Sequence, residues 1–177
     1  MAGLFHGGII ATGSYVPEKV ITNHDLERIV DTSDEWIVTR TGIRERRIAD
    51  SNTATSDLAT MAARRALESA RLTPQDIDMI VVATVTPDMH FPSTACLVQR
   101  NIGATNASAF DLEAACSGFL YGIIVANQFV ATGLCRNVMV IGAECLSKFV
   151  NWKDRNTCVL FGDGAGAVIV SRVGEGY

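Results

Sequence analysis

The sequence predicts an α/β protein with a largely parallel sheet and helices on both faces of that sheet. Two short apolar runs rich in β-branched residues, at 79–84 and 138–141, are typical of strands buried on both faces. A helical pattern spans 55–72, where small and apolar side chains recur with the spacing of one helix face. Because strands and helices alternate along the chain, parallel pairing through helical crossovers is the expected topology.

The amino-terminal third contains a predicted strand and two predicted short helices. The strand spans 7–13, and Thr22 or Asn23 is expected to cap a helix over 24–30. Thr32 or Ser33 is expected to cap a second helix, which has acidic residues in its first turn.

Capping residues and a proline predict the later elements. We expect a short helical turn beginning at Pro74, and a helix that starts after Ser93 and ends near Asn101. The other predicted elements are strands at 107–112 and 168–173 and a long apolar helix at 119–131.

Cys116 stands in the turn between the strand at 107–112 and the helix at 119–131. At a helix N-terminus the unpaired backbone N–H groups and the helix dipole favour a thiolate. The alanine, serine and glycine neighbours leave room for a substrate carbonyl, so Cys116 is a candidate nucleophile. The alternative is a buried, inert small hydrophobic residue, as many free cysteines are.

Composition and charge exclude several classes of protein. The 177 residues are 48% hydrophobic and carry a net charge of −4, which argues against a nucleic-acid-binding protein. No apolar run approaches the ~18 residues of a membrane span, and the first residues lack the basic start of a secretory signal. A cytoplasmic location is therefore expected. An odd number of cysteines in a chain without a secretory signal predicts reduced thiols. The cysteines and histidines show no metal-ligand spacing, so we expect no metal.

An arginine-rich segment follows Trp36 in this acidic chain. One interpretation is a solvated surface with ordinary arginines. The other is an anion site, because guanidinium groups suit phosphate and an indole face suits a purine ring. The residues alone leave both open. The four arginines are Arg40, Arg44, Arg46 and Arg47.

Three glycines near the carboxyl end suggest a nucleotide-binding loop, but the pattern does not fit one. Gly162, Gly164 and Gly166 lack the G-x-G-x-x-G spacing, and a predicted strand rather than a helix follows them. We therefore expect glycines that allow two backbone segments to pack closely. Asp163 is expected to accept hydrogen bonds from the backbone of its own turn.

Four blocks closely resemble β-ketoacyl-acyl-carrier-protein synthase III, a family of condensing enzymes with the thiolase fold. The blocks occur in the family's order, and the likeness covers essentially the whole chain. The first is the most diagnostic, because thiolases, chalcone-type synthases and hydroxymethylglutaryl-CoA synthases differ there. The blocks are DTSDEWIVTRTGIRERR at 31–47, FPS at 91–93, AACSGF at 114–119 and FGDGAG at 161–166.

The resemblance implies the initiating condensation of type II fatty-acid synthesis. Cys116 would take the acyl group of an acyl-CoA primer, and the acyl-cysteine would condense with malonyl-acyl-carrier-protein with loss of CO2. The backbone N–H of Cys116 would donate one of the two hydrogen bonds of an oxyanion hole. Acyl-CoA would be a substrate, and no prosthetic cofactor is implied.

The resemblance also implies a CoA site. Trp36 and Arg155 would hold the adenine between them, and Thr32 and Arg40 would lie along the nucleotide. Asn156 stands where the family usually has glycine, which predicts an altered edge of this site.

A primer pocket and a homodimer are implied in the same way. Leu146 and Phe161 would line the pocket, and Phe91 would reach into the pocket of the neighbouring subunit. Phe91 and Phe161 fall within matching blocks, whereas Leu146 lies outside all four.

Family members are roughly twice as long, so the resemblance implies that 1–177 is an amino-terminal thiolase-like half-domain. The second half, with the catalytic His and Asn, would be absent. We do not expect His6, His24 or His90 to replace that histidine, because nothing in the sequence places them near Cys116. A large apolar surface is expected where the second half would pack.

Two other functions remain open. One is a non-catalytic CoA-binding or scaffold half of a ketosynthase-like assembly, which would bind CoA without turnover. The other is a related acyltransferase of a polyketide or quinolone pathway, which only substrate profiling would distinguish. The partners of the first function would be acyl-CoA, malonyl-acyl-carrier-protein, the second half and a second copy, without nucleic acid or membrane.

Overall fold

The computed structural model describes residues 5–174. Within them lie one five-stranded sheet, one two-stranded ladder and six helices. Single 3₁₀ turns occur at Pro74–Asp76, Ala115–Ser117 and Leu146–Lys148. In chain order the strands and helices are β1 (His6–Tyr15), β2 (Val20–Thr22), α1 (Asn23–Leu26), α2 (Asp34–Thr41), β3 (Glu45–Arg47), α3 (Thr55–Ala70), β4 (Met79–Ala83), α4 (Thr94–Ile102), β5 (Ser108–Leu112), α5 (Gly118–Ala131), β6 (Asn137–Cys145), α6 (Arg155–Cys158) and β7 (Asp163–Val173).

The large sheet has the strand order β1-β7-β6-β4-β5. β4 pairs in parallel with β5 on one side and β6 on the other, whereas β7 is antiparallel to both of its neighbours. Four strands therefore run in one direction and β7 runs in the other. Helices α3 and α4 pack on one face and α5 on the opposite face. These features confirm the predicted mixed, largely parallel sheet with helices on both faces.

Side-chain alternation along β4 divides the interior into two cores. Ile80 and Val82 face the core formed with α3 and α4, whereas Met79 and Val81 face the core formed with α5. Every residue of β4 is buried. A central strand of this kind needs apolar residues on both faces, which is why its sequence is a continuous apolar run.

A third, smaller core lies where the β2–β3 ladder, α1, α2 and α6 meet. Its buried members come from α1, α2, α6 and the residue that directly follows α6, and Trp36 packs against its margin. The fully or almost fully buried side chains are Leu26, Ile37, Cys158 and Val159.

Hydroxyl side chains begin three helices at positions the sequence predicts. Thr22 caps α1, Ser33 caps α2 and Ser93 caps α4, each by accepting a hydrogen bond from a backbone N–H in the first turn. Helix α1 is shorter than predicted, because after Leu26 the chain tightens into bonds spanning three residues, as from the Ile29 N–H to the Leu26 carbonyl.

The glycine-rich segment differs from the prediction in two ways. Gly164 and Gly166 belong to β7 and pair with β6, so this strand starts earlier than expected. The carboxylate of Asp163 accepts hydrogen bonds from the Ala49 N–H at 2.7 Å and the Ser147 N–H at 2.8 Å. The expectation that Asp163 bonds to its own turn was therefore wrong, because it joins segments distant in sequence.

Helix α5 buries one face against the sheet and exposes the other. Its buried face consists of Gly118, Gly122, Ala126 and Val130. The opposite face also carries large apolar side chains, so an uncovered apolar surface is present, and its contact with a second half stays a prediction. Its large exposed side chains are Leu120, Tyr121 and Ile124.

No helix within residues 5–174 combines the length and the apolar character that crossing a membrane requires.

Gly13 of β1 lies directly against the backbone of α3. A Cβ at this position would collide with the Ala62 carbonyl oxygen and the Ala66 nitrogen. We expect Gly13→Ala to lower the free energy of unfolding by about 3 kcal/mol, because β1 and α3 must move apart. Urea denaturation followed by circular dichroism measures the change.

Gly166→Ala in β7 is the matched control. A Cβ there meets no atom within 4 Å, and the φ angle of Gly166 is not positive. The free energy of unfolding of the Gly166→Ala variant should stay within about 0.5 kcal/mol of the value for the unsubstituted chain. Equal losses in the two variants would contradict the close packing of β1 on α3.

Candidate active site

Three parallel strands end at the same edge of the sheet. The register pairs Ala83 of β4 with Leu112 of β5 and with Gly142 of β6. The loop at 84–93, the turn after β5 and the end of β6 therefore lie side by side. In open α/β sheets this carboxyl edge is where ligands bind.

Cys116 lies in the 3₁₀ turn immediately before α5, and its side chain is exposed. The thiol is therefore not buried, and its reactivity stays a prediction. Ala115 has a φ angle of +45°, a left-handed conformation that costs an alanine about 1–3 kcal/mol. A strained turn that presents an exposed thiol at a helix N-terminus is the arrangement expected of a nucleophile.

The other four cysteines are less accessible. Cys135, Cys145 and Cys158 are buried, and desolvation is the main reason that the pKa of each of these thiols is raised. Cys96 is half-buried, with its sulfur 3.8 Å from the Ala109 carbonyl oxygen. Thiol chemistry at neutral pH should therefore be concentrated at Cys116.

Two guanidinium groups contact the Trp36 ring. The Arg40 Cζ atom lies 4.4 Å from the ring centroid, and the Arg155 Cζ atom lies 4.8 Å from it. Arg155 also donates a hydrogen bond to the Asp31 carbonyl at 3.0 Å. The fold thus brings α2 and α6 together at an aromatic and cationic surface, on which a base could stack if Arg155 moved off the ring.

A cleft of about 320 Å³ lies along this surface. Thr32 directly precedes Ser33, one of the residues that line the cleft. Ser33, and not Thr32, caps α2, and the buried Thr32 hydroxyl has no hydrogen-bond partner among the residues described. An unpaired buried hydroxyl is unfavourable, and a polar ligand group would relieve it. The cleft is lined by Ser33, Glu35, Trp36, Thr39 and Arg40.

The arginine-rich segment is not a uniform surface. Arg44 is exposed, and Arg47 pairs with Glu45 at 3.1 Å. Arg46 is only 4% exposed, and its guanidinium donates to the Val159 carbonyl oxygen. For Arg46, both the solvated-surface interpretation and the anion-site interpretation were wrong.

The loop after β4 carries Phe91, which is 87% exposed. Glu144 holds the start of the loop by accepting hydrogen bonds from the Val85 N–H and the Thr86 hydroxyl. Asp88 holds its middle by bonding to the first turn of α3. A large apolar ring is therefore presented to solvent by a well-anchored loop.

Leu146 and Phe161 lie at the same end of the sheet as Cys116. Leu146 directly follows β6 and Phe161 shortly precedes β7, and the two strands pair there through Cys145 and Asp163. Both side chains are half-buried. Their contact with a primer stays a prediction.

Within residues 5–174, no three His, Cys, Asp or Glu side chains are arranged to hold a metal ion.

Comparison with known proteins shows which synthases this chain is similar to. The family model of 3-oxoacyl-[acyl-carrier-protein] synthase III matches residues 110–177. The β-ketoacyl-[acyl-carrier-protein] synthase III of Caldanaerobacter subterraneus is 71% identical over 170 residues, which cover 96% of this chain and 51% of that protein. The crystal structure of the Aquifex aeolicus 3-oxoacyl-[acyl-carrier-protein] synthase III matches with a TM-score of 0.93 at 57% identity, covering 96% of this chain and 55% of that one.

The chain is a homologue of β-ketoacyl-acyl-carrier-protein synthase III. It spans about half the length of the curated relatives it matches. The priming β-ketosynthase of the R1128 polyketide pathway has the same fold, with a TM-score of 0.94 at 38% identity over 98% of this chain and 52% of that one. These matches confirm the predicted thiolase-like condensing-enzyme fold.

The long-range contacts of three residues of this synthase homologue were not predicted from the sequence. Arg46, Asn23 and Glu144 make their contacts with segments far along the chain. A glutamate near the end of the otherwise apolar β6 was a usable signal for Glu144. Nothing in the local pattern separates Arg46 from its exposed arginine neighbours.

The accessibility of the cysteines in this synthase homologue predicts selective alkylation. Iodoacetamide in limiting amount should modify Cys116 first, because Cys135, Cys145 and Cys158 are buried and their thiol pKa values are raised. Peptide mass spectrometry after short exposure at neutral pH locates the adduct. Cys96→Ala, the matched control, should leave this first modification in place, whereas preferential alkylation of a buried cysteine would contradict the described turn.

Proposed function

We propose that the chain is the cysteine-bearing half of a β-ketoacyl-acyl-carrier-protein synthase III, which starts type II fatty-acid synthesis. The observation that supports this most directly is the exposed Cys116 on a strained turn at the N-terminus of α5. Homology to synthases of this name over half their length supports the reaction class.

The first step is transfer of the acyl group to the chain. The Cys116 thiolate attacks the thioester carbonyl of acyl-CoA, the bond from that carbon to the CoA sulfur breaks, and CoA leaves and takes up a proton. Cys116 lies in the first helical turn, where backbone N–H groups have no partner within the helix. Its N–H is therefore suited to stabilise the negative charge that develops on the carbonyl oxygen.

The second step is condensation. Malonyl-acyl-carrier-protein loses CO2, the resulting enolate carbon attacks the acyl-cysteine carbonyl, and the bond to the Cys116 sulfur breaks. The family resemblance assigns stabilisation of the enolate to a His and an Asn. We place both in the part of the relatives that this chain does not cover.

The CoA nucleotide is proposed to bind along α2 and α6. The adenine would insert between Trp36 and Arg155, which touch in the structure and would have to separate. Arg40 and the unpaired Thr32 hydroxyl would contact the rest of the nucleotide.

Two apolar features are proposed as interfaces. The exposed face of α5, with Leu120 and Ile124, would pack against the remaining half of the thiolase fold. Phe91 would enter the primer pocket of a second subunit, beside Leu146 and Phe161. An exposed aromatic ring on an anchored loop suits such insertion, because little conformational entropy is lost on binding.

A related acyltransferase of a polyketide pathway is the second candidate. The structural match to a priming β-ketosynthase of such a pathway favours it. The two candidates share the acyl-cysteine step and differ in the carrier protein that brings the malonyl group. Condensation with the carrier proteins of the two pathways, compared side by side, would separate them.

Acylation of Cys116 tests the proposed function. We expect acetyl-CoA to acetylate this residue when the chain is mixed with a polypeptide that covers the remaining half of the Caldanaerobacter relative. Cys116→Ala should abolish the adduct, because the nucleophile is lost, and Cys96→Ala should retain it. Peptide mass spectrometry identifies the modified residue.

Four outcomes of this experiment are informative. Loss of the adduct in Cys116→Ala alone supports the proposal, as does a β-ketoacyl product after addition of malonyl-acyl-carrier-protein. CoA binding without acylation would support the non-catalytic CoA-binding half instead. An adduct that persists in Cys116→Ala would contradict the assignment of the nucleophile.

The adenine site gives a separate prediction. Trp36→Ala should raise the Kd for CoA about ten- to a hundredfold, since one stacked base contributes about 1–3 kcal/mol. Isothermal titration calorimetry measures the change. Phe5→Ala is the control, because Phe5 also lies under an arginine, Arg172, but outside the cleft beside Trp36. An unchanged Kd in Trp36→Ala would remove the stacking role.

A further inference from the structure

Arg46 carries a buried charge without a direct carboxylate partner. Its side chain is almost fully buried on β3, and no acidic group lies within salt-bridge distance of it in the described part of the chain. Burying a guanidinium in this way is unfavourable unless its N–H groups are hydrogen-bonded. Burial accordingly lowers the pKa of Arg46 from its usual high value, although an arginine stays protonated.

The guanidinium compensates through a bridge of hydrogen bonds. Its Nε and Nη2 atoms both donate to the Val159 carbonyl oxygen, the Nε contact at 3.1 Å, and its Nη1 atom donates to the Asn23 Oδ1 atom. The Asn23 amide nitrogen in turn donates to Asp34 Oδ1 at 2.7 Å and to the Ile43 carbonyl at 2.8 Å. The Asn23 amide therefore couples the buried Arg46 guanidinium to the Asp34 carboxylate, although the guanidinium and the carboxylate make no direct contact.

The two ends of this bridge lie in or directly beside the two helices that carry Trp36 and Arg155. Val159 directly follows α6, which carries Arg155, and Asp34 is the first residue of α2, which carries Trp36. A planar guanidinium has several donors in fixed directions, so it sets both the distance between the groups it bonds and their orientation. A lysine ammonium does not fix the orientation. Arg46 itself is too buried to reach a ligand in the cleft.

We propose that Arg46 is a positioning residue that, through Asn23, sets the spacing of Trp36 and Arg155 and thereby the affinity for the adenine end of CoA. This inference rests on the proposed function, because it assumes that the two side chains hold the base. It assigns a role in nucleotide affinity to a residue that contacts neither CoA nor the nucleophile.

Arg46→Lys in the full 177-residue chain tests the inference. It keeps the positive charge but removes the fork that bonds to Val159 and Asn23. The Kd for adenosine 3′,5′-bisphosphate, the nucleotide end of CoA, should rise about tenfold. Arg64→Lys is the matched control, because that guanidinium also bonds to a backbone carbonyl, of Asn101, but on α3.

Two acyl donors separate positioning from general damage to the fold. With the polypeptide that covers the remaining half present, acetylation of Cys116 by acetyl-CoA should show a KM raised about tenfold in Arg46→Lys. Acetylation by the thioester of N-acetylcysteamine, which lacks the nucleotide, should be unchanged, and the melting temperature is measured alongside. Equal losses with both donors would overturn the positioning role.

A double-mutant cycle adds a readout that does not depend on acylation. If Arg46 acts through Arg155, then Arg46→Lys should change the bisphosphate Kd by less than about twofold once Arg155→Ala is present. Fully additive losses would overturn the inference.

The failure of this inference differs from the failure of the proposed function. Bisphosphate binding that Arg46→Lys leaves undiminished would overturn the positioning role alone. If the unsubstituted chain binds neither the bisphosphate nor CoA, the proposed function and the positioning role are overturned together.

Discussion

The parallel pairing of β4 with β5 and β6 is the constraint on which the candidate site depends. Because these three strands run in one direction, their carboxyl ends coincide, and the segments that follow them meet at one edge of the sheet. Those segments carry Phe91, Cys116 and Leu146. The apolar character of β4 on both faces maintains the pairing, since it anchors the helices above and below the sheet.

The strained turn at Cys116 depends on how closely α5 packs. A Cβ on Gly118 would stand 3.2 Å from the Ala83 Cβ, and one on Gly122 would stand 2.8 Å from the Val140 Cγ1. Only glycine allows the helix to lie so close to the sheet. The packing holds the start of α5 against the sheet, and the chain that connects β5 to α5 passes through the left-handed conformation at Ala115.

Local patterns in the sequence predicted the elements and the turn that carries the candidate nucleophile, but not the long-range polar contacts. The apolar run of β4, the Ser93 cap and the turn at Cys116 each follow from neighbouring residues. Arg46 bonds to the Val159 carbonyl and Asp163 bonds to the Ala49 N–H, and in each pair the partners are more than a hundred positions apart. Their local sequence indicated a surface arginine and a turn aspartate. Contacts with distant segments overrode these local preferences in the packed core.

The apolar face of α5 begins close in sequence to the candidate nucleophile. Leu120 and Ile124, spaced four residues apart, lie on the same side of α5, and exposed Cys116 lies in the 3₁₀ turn that leads into this helix. Any partner surface that covers Leu120 and Ile124 therefore extends towards the thiol. Such a cover would exclude water from an acyl-cysteine and would bring its own polar groups within reach of the reacting carbonyl. Assembly of the fold and protection of the acyl intermediate are then two effects of the same contact.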